Sequence, residues 1–118
     1  MSAYIIVNET LKMSKGKIAS QSAHGILSMH RFLLANNINH IKWLSNGEKI
    51  VVVKTSQDIM RKLLIEYNEK LINSNTLNLF PIFDAGRTEV ESGSLTVIVL
   101  TPISDDKKPD WLKELKLL

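Results

Sequence analysis

Cysteine is absent from the 118-residue chain, which removes disulfides, a thiol nucleophile and thiolate metal ligands together. The three histidines, His24, His30 and His40, show no zinc-ligand spacing of the H-E-x-x-H kind, so neither a metal nor another cofactor is expected. No apolar run approaches the ~20 residues that span a bilayer. The opening MSAYIIVNET lacks both the basic lead-in and the long apolar stretch of a signal peptide. A cytoplasmic protein without membrane contact is expected. Repeats and low-complexity tracts are missing too, which excludes solenoids and disordered tails.

What is present is ordinary for a soluble globular protein: 44% hydrophobic and 23% charged residues in a chain able to bury about two-thirds of its unfolded surface. A single domain over residues 1–118 is expected. The net charge of +3 and the pI near 9.2 are consistent with an acidic partner, and equally with solubility alone.

Along the chain, residues 4–7 form a short β-branched apolar run, followed by a polar connection and a long amphipathic helix that breaks near Asn36 and Asn37. A short helical segment is expected within residues 38–48, closed by the Asn46-Gly47 turn. KIVVVK at 49–54 reads as a buried strand, and Thr55 with Asp58 gives a capping box opening a second helix with Met60, Leu64, Tyr67 and Leu71 as its stripe. After a loop over residues 73–78, LNLFPIF at 77–83 reads as a strand that Pro81 confines to a sheet edge. Residues 95–101 make a central strand, and residues 109–116 one or two helical turns with Trp111, Leu112 and Leu115 as contacts. The expected fold is a three-layer α/β/α sandwich around a four-stranded mixed sheet. The first three strands run parallel, and the fourth returns antiparallel because only residues 84–94 precede it.

LKMSKGKIASQSAH at residues 11–24 packs Lys12, Lys15 and Lys17 into a loop that runs straight into the long helix. On a helical projection of residues 17–34, Ile18, Ala19, Ala23, Ile26, Leu27, Met29, Leu33 and Leu34 share an apolar arc, and Lys17, Gln21 and His24 fall in one stripe opposite it. The stripe is either the solvated side of the helix or a set of ligand groups. A lysine in the first turn, beside free backbone N–H groups and Gly16, favours an anion site. Lys17 follows the end of the first strand and Asp84 the end of the third, while Thr96 opens an antiparallel fourth; that topology brings all three to the sheet edge where open α/β sheets bind ligands. Taken alone, Asp84, Arg87 and Thr88 around Gly86 also fit a plain turn.

Read together and in order, LKMSKGKIASQSAH, DAGRT, GSLTV and the terminal LKLL resemble the type II peptidyl-tRNA hydrolase family over nearly the whole chain. Its patterns R-x-D-L-K-M-G-K-G-K, D-A-G-[RH]-T and P-G-[ST]-x-T are kept here at Lys12, Met13, Lys15, Gly16, Lys17, Asp84, Ala85, Gly86, Arg87, Thr88, Gly93 and Thr96, with Ala19, Gln21 and His24 between them. The chain departs at Asn8, Thr10, Ser14 and Ser92, where the family usually has arginine, aspartate, glycine and proline.

The resemblance implies a homodimer that hydrolyses the ester joining a peptidyl or N-blocked aminoacyl group to the 3′ end of tRNA, with Lys17, Asp84, Thr88 and Thr96 as active-site residues. In such a site Lys17 would stabilise the tetrahedral oxyanion, and Asp84 would orient water rather than deprotonate it, because a neighbouring lysine makes a carboxylate a weak base. Thr88 and Thr96 would hold the water or the ribose hydroxyls. Lys12, Lys15 and Arg87 would meet tRNA phosphates, with Gln21 and His24 as further substrate contacts. The alternative is a family member that has lost turnover and serves as an RNA-binding or protein-interaction module, a reading prompted by Asn8 and Thr10.

Overall fold

A computed structural model of the chain describes residues 1–36, 40–68, 77–85, 90–91 and 93–118. The elements run β1 (Ser2–Asn8), α1 (Lys15–Asn36), α2 (His40–Ser45), β2 (Ile50–Thr55), α3 (Gln57–Asn68), β3 (Leu79–Phe83), β4 (Leu95–Ile103), α4 (Asp110–Lys113) and β5 (Lys116–Leu117). The sheet order is β3-β4-β1-β2-β5. β1 and β2 pair in parallel, whereas β4 is antiparallel to both β1 and β3, so β1, β2 and β3 point the same way. The mixed sheet and the edge position of the Pro81 strand agree with the sequence pattern. The expected count of four strands does not. Lys116 and Leu117 pair antiparallel with Lys54 and Val53 to make a fifth, and two exposed residues held only by backbone pairing carry no hydrophobic signature.

Alternation along β1 divides the core. Ala3, Ile5 and Val7 join Met29 and Leu33 of α1 and Trp43 of α2 in one cluster; Tyr4 and Ile6 join Met60 and Leu63 of α3 and Leu112 of α4 in the other. Each buried valine, isoleucine, leucine or methionine among them contributes about 1.5–3 kcal/mol of transfer free energy. In α4, Leu112 is buried, and Trp111 reaches back to donate from Nε1 to the Tyr67 hydroxyl at 2.9 Å.

Two local expectations shift. The cap of α3 is Ser56, whose Oγ accepts from the Ile59 N–H at 3.4 Å, while Thr55 ends β2 as a buried strand residue. Leu71 of the expected stripe, most of the 73–78 loop and the start of the 38–48 segment lie outside the described residues. The larger correction concerns α1. Its buried line is Lys17, Gln21, Gly25, Met29 and Leu33, one residue in every four, whereas Ala19, Ala23, Leu27 and Leu34 of the expected apolar arc are exposed. The inward face was masked in the sequence because its first half is polar and its middle is glycine. A Cβ at Gly25 would collide with Val99 Cγ2, so this glycine lets α1 lie close on β4 despite a mid-helix cost of about 1 kcal/mol relative to alanine. Close approach at Gly25 presses Gln21 and Lys17, one and two turns earlier, onto the end of the sheet.

Candidate active site

The C-terminal ends of β1, β2 and β3 and the start of β4 share one edge of the sheet, and the N-terminus of α1 lies over it. Ser14 caps α1: its Oγ accepts from the Lys17 N–H at 3.2 Å and its carbonyl from the Ile18 N–H at 3.0 Å, satisfying donors that a helix start leaves open. The Lys17 side chain runs inward from this first turn. Its Nζ donates to Asp84 Oδ1 in an ion pair whose side chains are only 5% and 4% exposed. Asp84 is fixed through its backbone as well, donating its N–H to the Ser94 carbonyl at 2.8 Å and accepting from the Gly93 N–H at 2.7 Å. Gly93 sits at φ 83°, a left-handed conformation open to glycine without strain.

Beside the pair, Gln21 and Thr96 form a second buried contact. Thr96 is 0% exposed, and its hydroxyl lies 2.8 Å from Gln21 Oε1 and 3.0 Å from the Ile82 carbonyl. One hydroxyl proton cannot serve two acceptors fully. Turning the Gln21 amide end for end removes this competition, with Thr96 donating to Ile82 and accepting from Gln21 Nε2. Lys17, Gln21, Asp84 and Thr96 are thus brought together, but Thr96 faces protein rather than solvent and Gln21 lies on the buried side of its helix. The expectation that the Thr96 hydroxyl holds water or ribose directly does not fit this placement. Lys12, Lys15 and His24 are exposed, the first in a left-handed conformation (φ 50°) closing a 3₁₀ turn over Glu9–Leu11. Arg87 and Thr88 lie outside the described residues.

This arrangement offers a buried ammonium and carboxylate at the mouth of a helix N-terminus, with cations displayed around it. A family model described as peptidyl-tRNA hydrolase PTH2 matches residues 1–118. The chain belongs to the PTH2 family. A peptidyl-tRNA hydrolase of Methanococcus maripaludis is 39% identical over 117 residues, covering 97% of this chain and 96% of that relative. One from Methanocaldococcus jannaschii is 33% identical over 119 residues, covering both chains completely. One from Sulfurisphaera tokodaii is 35% identical over 122 residues, covering 97% and 95%.

Against the PTH2 pattern, three of the four departures now have a physical account. Ser14, in place of the usual glycine, is the α1 cap. Asn8 and Thr10, in place of arginine and aspartate, bond to each other, Thr10 N–H donating to Asn8 Oδ1 at 3.0 Å. Ser92 is outside the described residues. Gln57 is a neighbour of this loop that sequence reasoning missed: its N–H donates to Thr10 Oγ1 at 3.0 Å across 47 positions. No local pattern signals a partner at that separation. Among the described residues, no helix is long and apolar enough to cross a membrane.

Proposed function

We propose that this chain is a peptidyl-tRNA hydrolase that cleaves the ester between a peptide, or an N-blocked amino acid, and the 3′ end of tRNA, releasing free peptide and tRNA. The observation that carries the reading is the buried Lys17–Asp84 pair at the sheet edge in a chain matched end to end by the family. Water adds to the ester carbonyl, the carbonyl oxygen takes up the negative charge, and collapse breaks the bond to the ribose 3′ oxygen, which leaves with a proton. Lys17 has two N–H donors beyond the one given to Asp84, and these are suited to the developing oxyanion in a site that excludes bulk water. Asp84, already accepting from Lys17, orients the attacking water. Thr96 acts by fixing Gln21, and Thr88 by holding the water or ribose.

Lys12, Lys15 and Arg87 neutralise tRNA phosphates, and His24 contributes a substrate contact at the exposed end of the α1 stripe. Residues 1–118 act as one catalytic unit in the cytoplasm. The alternation of the two core clusters supports a three-layer α/β/α arrangement, with α1 and α2 over one face and α3 and α4 over the other. Leu27 and Leu34, 56% and 61% exposed on the outer side of α1, offer apolar surface for a homodimer, and sedimentation decides its existence.

The direct test is hydrolysis of N-acetyl-aminoacyl-tRNA by the purified protein. Release of N-acetyl amino acid is expected. A folded protein that binds tRNA without releasing it would convert the reading to that of an interaction module, which no observation favours.

A further inference from the structure

On the other side of the sheet edge from the ion pair, Asn8 is 1% exposed and every polar group of its side chain is engaged. Nδ2 donates to the Leu95 carbonyl at 2.8 Å and to Gln57 Oε1 at 3.2 Å, while Oδ1 accepts from the Thr10 N–H at 3.0 Å. The amide orientation is fixed by these partners, since turning it would set an oxygen against the Leu95 carbonyl and N–H groups against the Thr10 N–H. Thr10 Oγ1 in turn accepts the Gln57 N–H, one of the donors that the start of α3 leaves open. Three separate parts of the chain are tied by one neutral knot: the lysine-bearing loop, the first turn of α3 and the start of β4.

The start of β4 connects this knot to the candidate site. Three successive residues there each hold something different. The Ser94 carbonyl takes the Asp84 N–H, the Leu95 carbonyl takes the Asn8 amide, and the Thr96 hydroxyl meets Gln21. Asn8 therefore grips the middle of the segment whose two neighbours place the carboxylate and the glutamine. Asn8 also caps the 3₁₀ turn that ends at Lys12, so the same side chain sets where that exposed cation is shown.

We propose that Asn8 and Gln57 are positioning residues for ester hydrolysis, a neutral brace that holds residues 94–96 and the lysine loop in register with Lys17 and Asp84. This rests on the hydrolase reading above and adds to it two residues that touch neither ester nor tRNA. A misplacement of about 1 Å at a reacting group can cost ~10²-fold in rate, so loosening the segment beside the site acts on turnover.

The experiment begins with the wild-type protein on N-acetyl-aminoacyl-tRNA; no hydrolysis there overturns the hydrolase reading and this inference with it. With wild-type activity established, Asn8→Ala should lower kcat about 10-fold or more, assayed well below its melting temperature. Gln57→Ala should lose roughly 3-fold, and Gln57→Glu, which keeps the acceptor for Asn8, should recover most of that loss. A lowered melting temperature with unchanged kcat and KM in both alanine variants would make the brace purely structural and overturn the proposal. Asn8→Asp provides an independent readout and serves if Asn8→Ala does not fold. Its carboxylate has no proton for the Leu95 carbonyl, and its protonated form regains one, so its activity relative to wild type should climb as pH falls from about 8 to about 5. A ratio that stays flat across that range counts against positioning.

Discussion

The helices α1 and α3 draw on opposite core clusters of the same sheet, yet they are built by different rules. α3 turns Met60, Leu63, Leu64 and Tyr67 inward, a stripe that packs on the sheet and on α4, with the Tyr67 hydroxyl also accepting from Trp111. α1 turns in Lys17, Gln21, Gly25, Met29 and Leu33, so its C-terminal half is core and its N-terminal half lines the candidate site. A helix whose buried face serves packing alone displays that face in its apolar periodicity. One that carries chemistry on the same face hides it, because burial of Lys17 and Gln21 is sustained by Asp84 and Thr96 rather than by hydrophobicity.

That contrast is broken most strongly at Asp84. Asp84→Asn should reduce single-turnover hydrolysis by roughly 10²-fold or more. It also leaves the Lys17 ammonium buried without its counter-charge, a change that typically costs about 3–5 kcal/mol. Affinity for tRNA should hold or rise slightly, since a carboxylate near a polyanion is gone. Hydrolysis, tRNA binding and melting measured on one preparation test all three, and near-normal turnover would remove Asp84 from the chemistry.

The mirror experiment is Met60→Ala on α3. Loss of a fully buried methionine side chain should cost about 2–5 kcal/mol in denaturant unfolding while turnover at low temperature stays at the wild-type rate. A turnover defect in the folded variant would show that the apolar face of α3 does more than pack.

The smallest effects belong to the exposed cations at the entrance of α1. Lys12→Ala and Lys15→Ala should leave melting nearly unchanged. Each should flatten the dependence of log tRNA affinity on log salt by about one unit or less, the size of a single phosphate contact. Parallel slopes in wild type and both variants would take these lysines out of the interface.

Legibility in the sequence followed the same division. β1, β2 and β4 stood out because they are β-branched apolar runs, and the direction of β4 followed from the short connection before it. Lys17 and Asp84 could be brought together on paper because both follow strands that point the same way. β5 could not be read, since its pairing with Val53 and Lys54 is a backbone matter. Nor could Gln57, whose partners Asn8 and Thr10 lie 49 and 47 positions away and whose own surroundings in the sequence look like any helix start. The inward turn of Gln21 was concealed by a glycine that scores as neither polar nor apolar but sets how closely the helix can lie.

The placement of β1 has a consequence in time. It is made before the four strands it shares a sheet with and sits third in the sheet order, between β4 and β2. β2 follows it closely, but the pairing of Val7 with Val97 waits on some 90 further residues, roughly 5–20 seconds of synthesis at ordinary rates. Until then Ile5, Ile6 and Val7 have one neighbour instead of two, and Asn8 has no Leu95 carbonyl to hold. Distant pairings of this kind slow folding, and here they also order it. The growing chain can wind α1 early from local contacts, but Thr96 and the segment that anchors Asp84 arrive together with β4, so the site closes in the same event that completes the middle of the sheet.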